Sequence, residues 1–280
     1  VTGGPAAGEA IVRHPKIKRI AFIGHARTGM AIQRTAAEVA VKHVSLELGG
    51  KNPMIICPDA DLERASAAAV RGMNFAWQGQ SCGSTSRLML HEDVYDTVLP
   101  MVLDRIGKMK AGDPLDPASS MGPMNSQMQY DKTMEYIKIA KKDGATLMAG
   151  GKRPTGPEFE KGFWVEPTVF TDVTMDMRIA KEEVFGPVLS VLKWRDIDEV
   201  IDMANDVDYG LTASIWTRDL DLAMRFVKEV EAGYIWVNGT GTHFRNVPHG
   251  GFKNSGTGRE EGLDELLSYT EVKAVNIMTG

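Results

Sequence analysis

Cys82 lies in the run Trp77-Gln-Gly-Gln-Ser-Cys-Gly-Ser84, between a helix-like apolar stretch at 62–75 and a strand-like one at 85–91. Gly79 and Gly83 flank it, so the backbone there can take conformations that a β-branched residue resists. A thiol at such a junction is reachable by another molecule, and thiolate chemistry needs that access together with a lowered pKa. On this window alone a nucleophile and a small buried hydrophobe are equally good readings, since free cysteines are usually core residues. Glu47 ends a short strand beginning at His43 and is followed by Leu48-Gly49-Gly50. A carboxylate there can act as a base if burial raises its pKa; the ordinary alternative is a surface glutamate. In Glu182-Glu183-Val184-Phe185-Gly186-Pro187, Glu183 and Phe185 are two apart on what reads as extended chain, so they are expected to share a face. That pair suits the ribose hydroxyls and flat ring of a dinucleotide, or else plain sheet packing.

These residues must be positioned by alternating strands and helices. Residues 18–24 read as a buried strand entering a glycine turn, and 28–41 as an Ala-rich helix. Strand, turn and helix make half of a βαβ unit, and Gly24 and Gly29 mark a turn whose following helix could receive an anion. The turn is neither a Walker A loop nor Gly-x-Gly-x-x-Gly. Leu48 to Pro53 form a forced turn, 54–57 a further strand containing Cys57, and Asp59 and Asp61 precede the helix that delivers the chain to Cys82. Helices are expected at 93–109, 126–143, 196–205 and 220–230. Strands are expected from 146, at 164–170, 212–217 and 234–238, and at the end of the chain, 272–278. The class is α/β throughout.

The totals narrow the function. The length of 280 residues suits two domains, or one and a half. A net charge of -5 argues against nucleic acid or an anionic membrane surface as partner. Two cysteines cannot build a disulfide framework, no apolar run is long enough to span a bilayer, and no basic-then-apolar leader opens the chain. A reducing, cytoplasmic setting is therefore expected. The six histidines include no His-x-x-x-His spacing, and no metal site is expected. The chain opens on Val1 and a turn-like Thr-Gly-Gly-Pro, which reads as a piece of something longer.

Taken together, the motifs resemble the aldehyde dehydrogenase superfamily over nearly the whole chain and in family order. The matching pieces are Leu46-Glu47-Leu48-Gly49-Gly50-Lys51-Asn52-Pro53, Gly79-Gln80-Ser81-Cys82, Gly112-Asp113-Pro114, Glu166-Pro167-Thr168-Val169-Phe170 and Glu182 to Pro187. Trp236-Val237-Asn238, Pro248 to Lys253, Ser255 to Glu260 and Tyr269 to Lys273 complete them. The resemblance implies an NAD- or NADP-dependent aldehyde dehydrogenase with Cys82 as nucleophile and Glu47 as general base. Glu183 and Phe185 would then hold the nicotinamide ribose and ring. Gly24, His25 and Gly29, with Leu48 and Gly49, would complete the cofactor side.

By the same resemblance the chain looks like the C-terminal part of the family's length. Residues 1–46 would be the remnant of a Rossmann-type dinucleotide-binding domain, 47–248 the catalytic α/β domain, and 249–280 a return segment ending in an oligomerisation strand of a homodimer or homotetramer. The sequence departs from the family at His25, which stands for the usual serine, and at Leu263, where many members carry a second glutamate. Three rival readings are a CoA-acylating enzyme, a non-catalytic oligomerising unit, and a cysteine hydrolase pairing Cys82 with His249. Glu47 argues against the first, because a water-activating base has no use there. Nothing in the sequence brings His249 to the thiol.

Overall fold

Near-continuous apolar strands such as Met54-Ile55-Ile56 must be covered on both faces, which an α/β sheet with helices on each side achieves. In the computed structural model, which describes residues 2–280, the chain builds a three-stranded sheet, a seven-stranded sheet and a two-stranded ribbon. The first contains α1 (Pro5–Arg13), β1 (Arg19–Ile23), α2 (Ala26–Val39) and β2 (His43–Glu47). β1 and β2 pair in parallel with Ile23 opposite Glu47. The turn-like opening is the start of α1: Gly4 is its N-cap and Pro5 its first residue, a position where proline's missing N–H costs nothing.

The second sheet begins with β3 (Pro53–Ile56), α3 (Leu62–Gly72), β4 (Arg87–His91) and α4 (Glu92–Gly107), followed by α5 (Gln127–Asp143) and β5 (Thr146–Ala149). The chain continues through β6 (Thr168–Thr171), α6 (Arg178–Lys181), β7 (Val188–Trp194), α7 (Ile197–Asn205), β8 (Tyr209–Gly210) and β9 (Thr212–Trp216), of which β8 belongs to the two-stranded ribbon and not to the large sheet. α8 (Leu220–Glu229), β10 (Tyr234–Val237), β11 (Phe252–Lys253), β12 (Gly256–Thr257) and α9 (Leu263–Leu267) end the chain. The large sheet runs β10-β9-β3-β4-β7-β6-β5, parallel except for the edge strand β5. β12 returns to the first sheet, antiparallel to β2, and β11 pairs with β8.

Alternation along the central strands divides the core. Ile55, Met89, Leu192 and Trp194 face α5, α7 and α8, where Ile137, Val200 and Phe226 cover them. Met54, Ile56, Leu88, Leu90 and Val191 face α3 and α4, where Ala65, Ala68, Val98 and Val102 do. The alanines of α3 let that helix approach the sheet closely, bringing its C-terminal end to the turn that carries Cys82.

Four sequence expectations change. The helix expected at 62–75 stops at Gly72, because Asn74 takes a left-handed φ of 56° and the chain recoils into a single 3-10 turn at Phe75–Trp77. The strand expected at 164–170 begins only at Thr168, since Pro167 has no N–H for a ladder. β7, central to the sheet, has no place among the expected elements although its Val-Leu-Ser-Val-Leu run is a buried-strand pattern. Residues 272–278 pair with no strand of this chain; Val272 and Met278 are fully exposed, and without an adjacent edge the segment has nothing to complete its hydrogen bonds. Among the described residues no helix is long and apolar enough to cross a membrane.

Phe226 is fully buried between α8 and the sheet. Phe226→Ala is expected to lower unfolding stability by about 3–5 kcal/mol through the cavity it leaves, read as a lower denaturant midpoint.

Candidate active site

The C-terminal edge of the small sheet faces the N-terminal edge of the large one, and the reactive residues come from the loops along that seam. Glu47 ends β2 and Gly24 follows β1. The Cys82 loop runs into β4, and the Glu183–Phe185 loop runs into β7. Between them lies a cavity of about 400 Å³ lined by Gly24, His25, Glu47, Leu48, Gly49, Cys82, Glu183 and Phe185, with Trp77, Gln129 and Lys132. Eight of the nine residues singled out from sequence therefore share one cavity. The ninth, Gly29, does not line it; it lies inside α2, where a side chain would press on Leu46 and Leu48 at 3.0–3.3 Å.

Cys82 reaches the cavity through a strained approach. Asn74, Gln78 and Gly79 all have positive φ, so the chain turns back on itself twice before the thiol. A Cβ at Gly79 would stand 2.2 Å from the Gly186 oxygen, so only glycine lets this loop pack on the one carrying Glu183. Asn52 ties the thiol's backbone in place. Its buried side chain donates to the carbonyls of Cys82 (2.7 Å) and Ser84 (2.9 Å) and accepts from the Thr212 N–H (3.0 Å). Sequence reading treated Asn52 as a turn residue only; its role depends on three segments distant in the chain. The Cys82 N–H donates to no protein atom among the described residues, which leaves it free for an oxyanion.

The electrostatics hold Cys82 as a thiol. Burial pushes its pKa up, and the nearby Glu183 and Glu47 carboxylates add to that. Cys57, deeper in β3's extension, is pushed up to about 12 by burial. Glu183 is also raised by burial, against the Gly50 N–H, which donates to it at 2.9 Å, and the Lys132 ammonium. Lys132 is lowered by its own burial. Phe185 does not share an extended face with Glu183, as sequence spacing suggested. It takes a left-handed φ of 56°, and both side chains reach the cavity because the chain turns there. Gln129 stabilises that turn by donating to the Val184 and Phe185 carbonyls at 2.8 Å each. At the helix end of the site, His25 caps α2 by accepting from the Arg27 N–H at 3.2 Å.

Glu47 is buried and neither carboxylate oxygen has a hydrogen-bond partner. Its nearest basic group is His249, with Nδ1 at 3.5 Å from Oε2. His249 thus pairs with the carboxylate and not with the thiol, and it does not line the cavity. Among the described residues no group of three or more His, Cys, Asp or Glu is placed to hold a metal.

Asn52→Ala would orphan the Cys82 carbonyl and the Thr212 N–H, while the Ser84 carbonyl keeps the Ser86 N–H as donor. A loss of about 1–3 kcal/mol per orphaned group is expected, with slower alkylation of Cys82, checked by thermal unfolding and iodoacetamide labelling. In the unaltered protein the raised thiol pKa makes thiolate scarce at neutral pH. Labelling of Cys82 should therefore keep accelerating with pH beyond the point where an unburied cysteine levels off, while Cys57 stays unlabelled until the protein unfolds.

Comparison with known proteins agrees with this architecture. The profile of the Aldehyde dehydrogenase family matches residues 1–275. Aldehyde dehydrogenase tropH of Talaromyces stipitatus is 47% identical over 282 residues, covering 99% of this chain and 55% of that protein. The NAD+ complex of an aldehyde dehydrogenase from Bacillus cereus superposes with a TM-score of 0.92 at 44% identity, covering 98% of this chain and 54% of that one. A 3,6-anhydro-L-galactose dehydrogenase solved in complex with NAP superposes with a TM-score of 0.94 at 43% identity, covering 97% and 57%. The chain spans about half the length of the relatives it matches. It belongs to the aldehyde dehydrogenase family.

Proposed function

We propose that the protein carrying this chain oxidises an aldehyde to a carboxylic acid, with NAD or NADP as hydride acceptor. The observation that carries the proposal is the convergence of Cys82, Glu47, Glu183 and Phe185 on one cavity. The residues present fit a dinucleotide's nicotinamide end. A Cβ on Gly49 would stand 2.3 Å from a Glu183 carboxylate oxygen, so the bare glycine backbone is what lets that acceptor stand over the cavity floor. Glu183 would accept from ribose hydroxyls and Phe185 would lie against the ring. When bound, the nicotinamide supplies the hydride acceptor and a positive charge that favours the thiolate.

The chain's own residues do the remaining work. Cys82 sulfur adds to the aldehyde carbonyl carbon, and the free Cys82 N–H donates to the oxygen that becomes negative. After oxidation the acyl group is held on sulfur as a thioester. Glu47 takes a proton from the attacking water, the tetrahedral centre collapses, and Cys82 leaves with a proton as the thiol. The thiol's raised pKa implies that it is deprotonated as substrate and cofactor arrive, which keeps a half-buried nucleophile quiet between turnovers.

Two further features fit a cytoplasmic homo-oligomer. Free cysteines belong in a reducing compartment. The exposed apolar Val272, Val275 and Ile277 suit addition to a sheet edge of a second copy.

The test uses the protein with whatever sequence flanks these residues. Aldehyde-dependent growth of NADH or NADPH absorbance is expected, and Cys82→Ala should abolish it. Glu47→Gln should keep a stoichiometric first turnover and slow the steady state by about 10²–10⁴-fold. An unchanged steady state in Glu47→Gln, or activity in Cys82→Ala, would overturn the assignment.

A further inference from the structure

The carboxylate of Glu47 is buried without a hydrogen bond, and the one imidazole that approaches it is itself short of partners. Side-chain exposure is 6% for Glu47 and 8% for His249, and their approach, Oε2 to Nδ1, is 3.5 Å. Both Glu47 oxygens and His249 Nε2 are buried without a hydrogen bond. The loop holding His249 is anchored: it pairs with Glu260 through two backbone bonds, His249 N–H to Glu260 O (2.8 Å) and Glu260 N–H to His249 O (2.7 Å). Its ring stacks on His243, centroids 4.8 Å apart, and both rings lie against Tyr234 at 5.7 Å. The next residue is Gly250, where a Cβ would stand 2.7 Å from Glu47 Oε1, so the loop is built to come this close.

We propose that His249 is the positioning residue of Glu47: its Nδ1–H holds the carboxylate aimed for the water that hydrolyses the acyl-enzyme. The tautomer follows from burial. A neutral imidazole has one proton, and with no acceptor near Nε2 the favourable place for it is Nδ1, facing the carboxylate. The long 3.5 Å contact shortens when water and acyl group occupy the cavity, as catalytic hydrogen bonds commonly do. No proton leaves His249 in the step. Water loses one to Glu47, and that proton departs with the Cys82 sulfur as the thioester becomes acid and thiol. Other charged groups close to the pair are Glu260, held above the usual carboxylate range by burial and then by Glu47, and Arg259 beside Gly250. Cys82 and Glu183 lie across the cavity, and Glu261 is paired with His243 at 2.9 Å on the outer side. None of them donates to Glu47. Only His249 can.

This inference rests on the proposed function, since it concerns the water-activating half of that reaction. The test is turnover of a chromogenic ester by the whole protein, with the burst reporting acylation at Cys82 and the steady state reporting deacylation. His249→Phe keeps the stacked ring and removes the donor. Its burst should match the unaltered protein and its steady state should fall roughly 10–100-fold, as for losing a hydrogen bond to a charged group. His249→Asn, which keeps an N–H near the Nδ1 position, should recover much of the rate. A steady state unchanged in His249→Phe would overturn the proposal. A second readout needs no turnover: the ¹⁵N signature of His249 should show the Nδ1–H tautomer and lose it in Glu47→Ala. Absence of a burst in the unaltered protein would sink the functional assignment and the hydrolytic role together. A tautomer indifferent to Glu47 would sink the pairing alone.

Discussion

Everything at the site depends on how the chain crosses from the small sheet to the large one at residues 48–52. Two buried polar side chains hold that crossing. Ser255 donates from its hydroxyl to the Gly49 carbonyl (2.7 Å), accepts there from the Gly210 N–H (2.9 Å), and takes the Leu48 N–H on its own carbonyl (2.8 Å). Asn52 secures the other end against the Cys82 loop and β9. A crossing segment has no ladder of its own, and buried backbone groups without partners are costly. These two side chains supply the missing partners, and in doing so they set the distance between the strand end bearing Glu47 and the loop bearing Cys82.

The same seam concentrates charge where water is scarce. Glu47, Glu183, Cys82 and Lys132 crowd around one cavity, with Lys51 buried behind it and lowered to about 7 by burial and the nearby Arg87. Arg87 is fully buried and donates only to backbone carbonyls, those of Lys51, Met203 and Ala204. Burial disfavours the ionised forms of Cys82, Glu183, Lys132 and Lys51, so the resting site favours a neutral thiol and a protonated Glu183 more than water would. Such a site changes its proton inventory when a charged ligand enters, which is a property suited to a nucleophile that must be reactive only with substrate present.

Local patterns made much of this readable. The apolar run before Glu47 announces a strand, the glycines and Asn-Pro after it announce a turn, and Asp61 ahead of an Ala-rich run announces α3. The α/β class follows from that alternation, and the motif order carried the family. Readings failed where a local rule met a tertiary demand. Helical propensity continued past Gly72, but the left-handed turns at Asn74 and Gln78 bring Gly79 against Gly186 and so seat the loop that carries Cys82. Residues Glu183 and Phe185 looked like neighbours on a pleat, yet they share the cavity through a left-handed turn stabilised by Gln129, more than fifty residues earlier.

The sequence by itself determined which short segments become strands and helices, where glycine permits close approach, and which residue types could react, because these depend on propensity and spacing within a few positions. Only the tertiary structure decided that Glu47 is buried beside His249, that Asn52 and Ser255 lock the crossing, and that the terminal segment pairs with nothing in this chain. Those outcomes are contacts between residues some 30 to 210 positions apart. They follow from how two sheets meet, which no local pattern encodes.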